Sequence, residues 1–356
     1  MEPTAMLSTT TGNLLRADVD ALVNTVNTVG VMGKGIALQF RKAYPEMFAA
    51  YAKACKAGEV RLGRMHVWET DVLDGPRFVI NFPTKGHWRA GSKLRDVESG
   101  LADLVHVITE RGITSIAVPP LGCGNGGLDW AEVEPRIRSA FATLPDVDVR
   151  LYAPGATLAA AQMPNATNRP PMSVGRAALV TLLDRYSRLA LGATPIEVQK
   201  LMYFLQVVGE PLRLNYAKNL YGPYADNLRH VLDAVEGHYL TGFGDGSSRV
   251  LEAEPVRTLP GATETAASVL AQHPETLERI EKVMDIIDGF ESMYGMELLA
   301  TVHWATAEEP RAATDWHHTV ELVHQWTPRK KEMFTDEHIR VAWTALRERG
   351  LAATEV

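Results

Sequence analysis

Residues 122–127 read Gly122-Cys123-Gly124-Asn125-Gly126-Gly127, and the placement of this glycine-rich stretch decides the fold. It lies between a β-branched run at residues 115–118 and a helical pattern at 130–144. Asp146 and Asp148 follow about 20 residues on, so spacing alone matches a dinucleotide-binding fingerprint. Position argues otherwise. Such a loop opens its sheet, whereas strand-like runs at residues 21–25, 64–68, 78–81 and 115–118 precede this one and only 148–152 follows. What survives is the physics of the loop: glycines let backbone N–H groups approach a ligand closely, and the next helix N-terminus adds partial positive charge, which suits phosphate.

Outward from that loop, the strand-like runs alternate with helical patterns at residues 35–44, 46–56, 93–111 and 130–144, which predicts a layered α/β domain. Asp129 with Glu132 reads as a capping box for the last of these helices. The first loop in the chain, Val23-Asn24-Thr25-Val26-Asn27-Thr28-Val29-Gly30-Val31-Met32-Gly33-Lys34-Gly35-Ile36-Ala37, with residues 122–127 as the second, runs from a strand into a helix. It reads either as a phosphate cradle, with Asn24 and Asn27 placed to bond ribose hydroxyls, or as a glycine-rich turn with no ligand. Two cradles on one sheet suit a diphosphate. The third segment, Asn81-Phe82-Pro83-Thr84-Lys85-Gly86-His87-Trp88-Arg89, sits where open α/β sheets bind ligands. Lys85 either enters the cleft or, like His87 and Arg89, is a solvated loop residue.

The chain has 356 residues, which at roughly 100–200 per domain predicts two domains. A 46% hydrophobic, 22% charged composition without an apolar run near ~18 residues excludes a membrane-spanning helix. The N-terminus shows no basic-then-apolar leader, and Cys55 and Cys123 lie in unlike contexts, so a reducing cytoplasm without disulfides is expected. Turn residues at 163–171 mark a linker at 156–172 between domains at 1–155 and 173–356. Residues 1–171 carry 18 Lys+Arg against 17 Asp+Glu, and the remainder 18 against 26, so the acidity belongs to the second half and suggests a different partner for it. That half reads as mainly helical, at residues 176–191, 195–208, 225–235, 264–272, 275–290, 296–305, 318–325 and 336–349. On the helix at 275–290, Glu278, Glu281, Asp285 and Asp288 share a face opposite Leu277, Ile280, Val283, Met284 and Ile287. This is either a solvated face over a packed one or a surface that imitates a nucleic-acid backbone. His303, His317, His318 and His324 have no carboxylate or cysteine at ligand spacing, so no metal is expected. Cys123 reads as a loop-packing residue rather than a nucleophile.

Gly12-Asn13-Leu14-Leu15, the loop of Asn24, Asn27 and Gly33-Lys34-Gly35-Ile36-Ala37, and Pro120-Leu121-Gly122-Cys123-Gly124 together resemble the macrodomain, an ADP-ribose-binding fold. With Asn81-Phe82-Pro83-Thr84-Lys85 and His87-Trp88-Arg89 the resemblance narrows to the DNA ADP-ribosyl glycohydrolase antitoxins, the DarG family, which pair with DarT toxins. Past the linker, Gln199-Lys200-Leu201-Met202-Tyr203-Phe204, Leu220-Tyr221-Gly222-Pro223-Tyr224 and His303-Trp304 look like that family's toxin-binding domain.

The resemblance implies a three-layer α/β/α macrodomain with a mixed sheet, followed by a mainly α domain that binds the toxin. It implies release of ADP-ribose from thymine bases in single-stranded DNA by scission of an N-glycosidic bond, with no metal or redox cofactor, and a DarT-type transferase as partner. It makes Lys85 catalytic, Asn24 its partner near the distal ribose, and residues 33–37 and 122–126 the diphosphate loops. Asn13, Leu14, Asn27, Thr84, His87, Trp88, Arg89, Pro120, Leu121, Asn125, Gly126 and Tyr152 then line the ligand. Two departures stand out: Asn13 replaces the aspartate that often meets the adenine amine, and the loop near Gly126 lacks the aspartate that related terminal ADP-ribose glycohydrolases pair with their lysine. The acidic face gains its nucleic-acid-imitating reading from a toxin that handles single-stranded DNA. The same cradle would serve a non-cleaving ADP-ribose reader, or a hydrolase of protein-linked or O-acetyl-ADP-ribose.

Overall fold

A computed structural model of the chain describes residues 7–70, 75–155, 158–190, 192–250 and 252–351. Expectations made at residues 1–6, at positions 156 and 157 of the linker and at residue 191 lie outside the described residues. The chain divides into two compact units, Met1–Asn168 with Asp245–Ser247, and Arg169–Gly244 with Ser248–Val356.

The first unit runs β1 (Leu7–Thr10), β2 (Ala21–Asn27), α1 (Gly35–Ala43), α2 (Pro45–Lys56), β3 (His66–Glu69), β4 (Phe78–Lys85), α3 (Leu94–Arg111), β5 (Ser115–Val118), α4 (Trp130–Phe141) and β6 (Asp148–Tyr152). The sheet order is β1-β6-β5-β2-β4-β3. Every pairing is parallel except β3 with β4. Alternation along the strands divides the core. Ala21 and Val23 of β2 and Ile80 and Phe82 of β4 pack with α3 and α4, whereas Leu22, Val26 and Val79 pack with Phe40 of α1 and Met47 and Tyr51 of α2. The result is a three-layer α/β/α unit with a mixed sheet. A Cβ on Gly100 of α3 would stand 2.3 Å from the Phe82 ring, so glycine there lets the helix press on β4. At about 1.5–3 kcal/mol per fully buried aliphatic or aromatic side chain, Val79, Ile80 and Phe82 anchor the strand that ends in Lys85.

Two local expectations change. Strand β1 was not anticipated: Leu7-Ser8-Thr9-Thr10 has one strongly apolar residue, and the strand exists because its backbone pairs with β6 at the sheet edge. Asp129 does cap α4, accepting from the Ala131 N–H, but no reciprocal bond from Glu132 completes the expected box among the described residues. A full capping box forms instead at Thr194 and Glu197.

The second unit is helix-rich. It runs α5 (Val174–Leu189), α6 (Pro195–Val207), β7 (Tyr216–Asn219), β8 (Gly222–Ala225), α7 (Leu228–Val235), β9 (Leu240–Thr241), β10 (Arg257–Thr258), α8 (Ala262–Leu270), α9 (Pro274–Ile287), α10 (Met293–Glu308), α11 (Pro310–Thr314), α12 (Trp316–Trp326), α13 (Pro328–Met333) and α14 (Asp336–Glu348). The helix expected at 225–235 begins at Leu228 because residues 222–225 belong to the antiparallel β7–β8 hairpin. Pro223 disguises that strand in the sequence. The helix expected to reach residue 290 stops at Ile287, where Asp288 leaves helical geometry and Gly289 takes φ +83°. Among the described residues no helix is long and apolar enough to cross a membrane.

Candidate active site

Lys85 is placed by an irregularity in the strand pairing. β2 and β4 run in register through Asn24↔Asn81, Thr25↔Phe82 and Val26↔Pro83, and then Asn27 pairs with Lys85. Thr84 is the extra residue of a bulge, the device by which strands re-aim a side chain near a site. Its side chain is buried, with Oγ1 3.4 Å from the Val26 carbonyl oxygen. Pro83 lacks an N–H, and it falls beyond Asn81, the last β4 residue that β3 pairs. Lys85 Nζ donates to the Asn125 carbonyl oxygen at 2.9 Å. Partial burial holds its pKa below the ordinary lysine value.

Asn125 is the junction of all three loops. Its carbonyl holds Lys85, and its Nδ2 lies 3.2 Å from where a Cβ on Gly35 would stand, a position with φ +61°. The glycines of the two loops divide into two kinds. Cβ atoms on Gly122 and Gly126 would strike Leu128, Ser92 or the Gly122 carbonyl oxygen at 2.3–3.0 Å, so these glycines are required by packing. A Cβ on Gly124 would meet nothing within 4 Å, and one on Gly33 only Val31 at 3.8 Å. A side chain therefore has room at these two places, unlike at Gly122 and Gly126. Lys34, at the N-cap of α1, makes no side-chain cap bond.

The two asparagines differ from expectation. Asn24 is wholly buried, donating from Nδ2 to Asn81 Oδ1 at 2.9 Å, with its Oδ1 lacking a partner among the described residues. One acceptor of Asn24 is thus left open while its amide nitrogen is tied to β4. Asn27 builds its own loop: Nδ2 donates to the Val31 carbonyl at 2.6 Å, Oδ1 accepts from the N–H groups of Val29 and Val31, and its carbonyl accepts from Tyr51. Its amide is committed to the turn. Asn13 is committed likewise, accepting from Leu15 N–H at 3.0 Å and donating to the Gln162 carbonyl at 2.9 Å.

Leu14 and Leu121 are buried core residues. Ile36, Ala37, Pro120 and Tyr152 are half-buried. Burial pushes the Cys123 thiol up to about 11, which suits packing rather than nucleophilic attack. His87, Trp88 and Arg89 are exposed on the loop after Lys85.

Sequence reasoning missed Thr28, whose hydroxyl ties the first loop to the Gly86 carbonyl at 2.8 Å, and Ser92, whose N–H binds the Gly126 carbonyl at 2.9 Å. Neither carries a sequence signal beyond its position next to a loop. It also missed His66, which pairs with Asn81 across β3 and β4, its Nδ1 3.1 Å from Asn81 Nδ2. Burial lowers the His66 pKa; Asn81 Nδ2 is a donor, so Nδ1 of the half-buried His66 accepts and completes an Asn24–Asn81–His66 ladder.

In the second unit the three sequence segments singled out above converge on one buried network. Gln199 makes paired 3.0 Å bonds with the backbone of Ala225, Lys200 Nζ donates to the Pro223 carbonyl at 2.6 Å, and the Tyr203 hydroxyl and His303 Nδ1 share a 2.8 Å hydrogen bond. Buried Glu297 accepts from Arg329 at 2.6 and 3.1 Å and from Lys330 at 2.7 Å. Burial and the Lys330 charge bring the Lys200 pKa down to about 7. On α9, Glu278, Glu281 and Asp285 are exposed opposite buried Ile280, Val283 and Ile287. Glu281 pairs with Arg185 at 2.5 Å, and Asp288 lies beyond the helix, 3.9 Å from Arg349. The acidic face is therefore shorter and more neutralised than the sequence suggests.

The Macro domain profile matches residues 23–137. A DNA ADP-ribosyl glycohydrolase of Mycobacterium tuberculosis (strain ATCC 25618 / H37Rv) is 46% identical over 353 residues, covering 95% of this chain and 98% of that protein. The chain belongs to the DNA ADP-ribosyl glycohydrolase family. It is accordingly a hydrolase. A second DNA ADP-ribosyl glycohydrolase, from Thermus aquaticus (strain ATCC BAA-2747 / Y51MC23), is 46% identical over 350 residues, 98% of this chain and 95% of that one. A DNA ADP-ribosyl transferase-DNA ADP-ribosyl glycohydrolase fusion protein of Thermosipho africanus (strain H17ap60334) is 34% identical over 166 residues, 42% of each chain.

Proposed function

We propose that the first unit of this DNA ADP-ribosyl glycohydrolase cleaves the bond between ADP-ribose and thymine bases of single-stranded DNA, and that the second unit binds and blocks the DarT-type transferase that forms it. The observation that carries the hydrolytic reading is the Lys85 amine held at the Asn125 carbonyl between the glycine loops. A neutral carbonyl orients the ammonium without cancelling its charge. The open positions at Gly33 and Gly124 admit a diphosphate against backbone N–H groups, which brings the distal ribose toward Lys85. The C1″–N bond then breaks with its electron pair leaving on the base nitrogen. Water adds hydroxyl to C1″ and its proton balances the departing base. Lys85 stabilises the negative charge developing on that base, and Asn24 supports the strand from beneath as a positioning residue. The fusion of a transferase with a glycohydrolase in the Thermosipho africanus relative supports pairing of the two activities, and the acidity of the second half supports attraction to a DNA-handling protein.

The test is incubation of the full chain with a single-stranded oligonucleotide carrying ADP-ribosylated thymine. Free ADP-ribose and unmodified oligonucleotide are the expected products, and an unchanged substrate would refute the reading.

A further inference from the structure

Between Lys85 and Ser92 the chain leaves the site and returns to it. Lys85 Nζ is fixed to the Asn125 carbonyl oxygen at 2.9 Å and the Ser92 N–H to that of Gly126 at 2.9 Å, so both feet of the excursion stand on adjacent residues of the second glycine loop. The turn between them is closed by the Ala90 N–H on the His87 carbonyl at 2.9 Å and the Arg89 N–H on His87 Nδ1 at 3.2 Å. This braced turn holds an indole out in solvent: Trp88 is 45% exposed and belongs to neither core cluster of its unit. The His87 ring stacks on it at 5.4 Å and 28°, and the Arg89 guanidinium carbon lies 4.5 Å from its centroid. Three consecutive side chains thus form a stack of planar groups, one permanently cationic, three residues from the amine at which the bond is broken.

Resting on the reading that the substrate is ADP-ribosylated DNA, we propose that His87, Trp88 and Arg89 are a stacking platform for the nucleobases flanking the modified one, and that this platform makes the enzyme selective for single strands. Bases in a duplex are already stacked on each other and offer no free face. Unstacked bases place their faces on aromatic rings and guanidinium planes irrespective of sequence, and a cation among the rings adds attraction for the phosphate backbone. The brace on the second glycine loop gives the platform a fixed position relative to Lys85, so bases seated on it hold the modified residue in register with the amine.

The experiment compares the full chain with its Trp88→Ala and Trp88→Phe variants on three substrates: a thymine-ADP-ribosylated single-stranded oligonucleotide, the same strand annealed to its complement, and ADP-ribosylated thymidine nucleoside. The wild-type enzyme should favour the single-stranded oligonucleotide over the other two. In Trp88→Ala the KM for that oligonucleotide should rise roughly ten-fold, well beyond any change on the nucleoside, and Trp88→Phe should recover most of it. Equal losses on oligonucleotide and nucleoside would assign Trp88 to the ADP-ribose moiety and overturn the proposal, as would an unchanged oligonucleotide KM in Trp88→Ala. Release by the wild type from the nucleoside alone would also overturn it, whereas release from none of the three would refute the proposed function and the platform with it.

Discussion

Lys85 Nζ donates to the main-chain oxygen of Asn125, 40 positions away, across 2.9 Å. The glycine loop at residues 122–127 therefore holds the amine, and anything that shifts Asn125 shifts Lys85 with it. The acceptor is a neutral carbonyl. A carboxylate there would raise the amine's pKa and cancel its charge, whereas burial beside a carbonyl lowers the pKa and leaves the charge free to act.

Lys85→Ala should accordingly lower release of ADP-ribose from modified single-stranded DNA by roughly 10²–10³-fold or more, the range for losing one preorganised electrostatic donor. ADP-ribose affinity measured by calorimetry should remain within a few-fold of wild type. The wild-type rate should fall on the alkaline side at a pH below the ordinary lysine value of 10.5, because burial lowers the Lys85 pKa and the working ammonium is lost as pH rises through it. A rate that rises through the same range would show that the neutral amine acts, as a nucleophile on C1″.

The glycines of the two loops should separate binding from folding. Gly124→Val and Gly33→Val, where a Cβ has room, should weaken ADP-ribose binding in protein that melts near the wild-type temperature. Gly126→Ala should destabilise by about 1–3 kcal/mol, since its Cβ would stand 2.3 Å from the Gly122 carbonyl oxygen and from Ser92 Oγ. Unchanged affinity in a folded Gly124→Val protein would remove that loop from the site.

Except for β1, the strands and helices of the first unit were legible because apolar residues recur at two- and four-residue spacing, and the place of Lys85 at the end of β4 was legible with them. The roles of Asn24, Asn27 and Thr84 were not. Thr84 is the extra residue of a one-residue bulge, and backbone pairing leaves no periodic trace of it; Asn24 is held by Asn81 on the neighbouring strand, a pairing the sequence does not show. Asn27 looks the same in sequence whether its amide meets a ribose or closes a turn. The β7–β8 hairpin escaped for a related reason: its stability comes from Gln199 and Lys200 bonding its backbone from α6, which only the tertiary structure brings together.

The buried cluster of the second unit should govern its pH dependence. Glu297→Gln removes the carboxylate facing Lys330 and Arg329, and loss of one partner from a buried ion pair costs about 3–5 kcal/mol. Lys200, at about 7, titrates below its ordinary value of 10.5. The unfolded chain therefore binds more protons than the folded one between those values, and this lysine's contribution to stability rises with pH across the window, on the order of 1 kcal/mol per pH unit. Lys200→Met, which keeps much of the volume, should flatten the slope between pH 7 and 9 in denaturant titrations. An unaltered slope would assign the window to other groups.

The second unit alone, residues 169–356, should bind the transferase and suppress it even when the protein supplies no Lys85. It has its own core, spread over α5, α6, α8, α9, α10 and α14, and its half of the sequence carries the acidic excess. A protein that handles DNA presents positive potential, and an acidic partner is steered toward it at a rate that falls with salt. Of the four residues on the acidic face, Glu281 and Asp288 lie beside Arg185 and Arg349, so reversing them would break intramolecular ion pairs as well as alter the field. Glu278 and Asp285 are the cleaner probes. Glu278→Lys with Asp285→Lys should slow association several-fold at low ionic strength and flatten its salt dependence, with Ile280, Val283 and Ile287 left to hold α9 in place. Binding by the first unit in place of the second would refute the division of labour. Equal association rates for the reversed variant at every salt concentration would leave neutralisation standing and remove this helix from it.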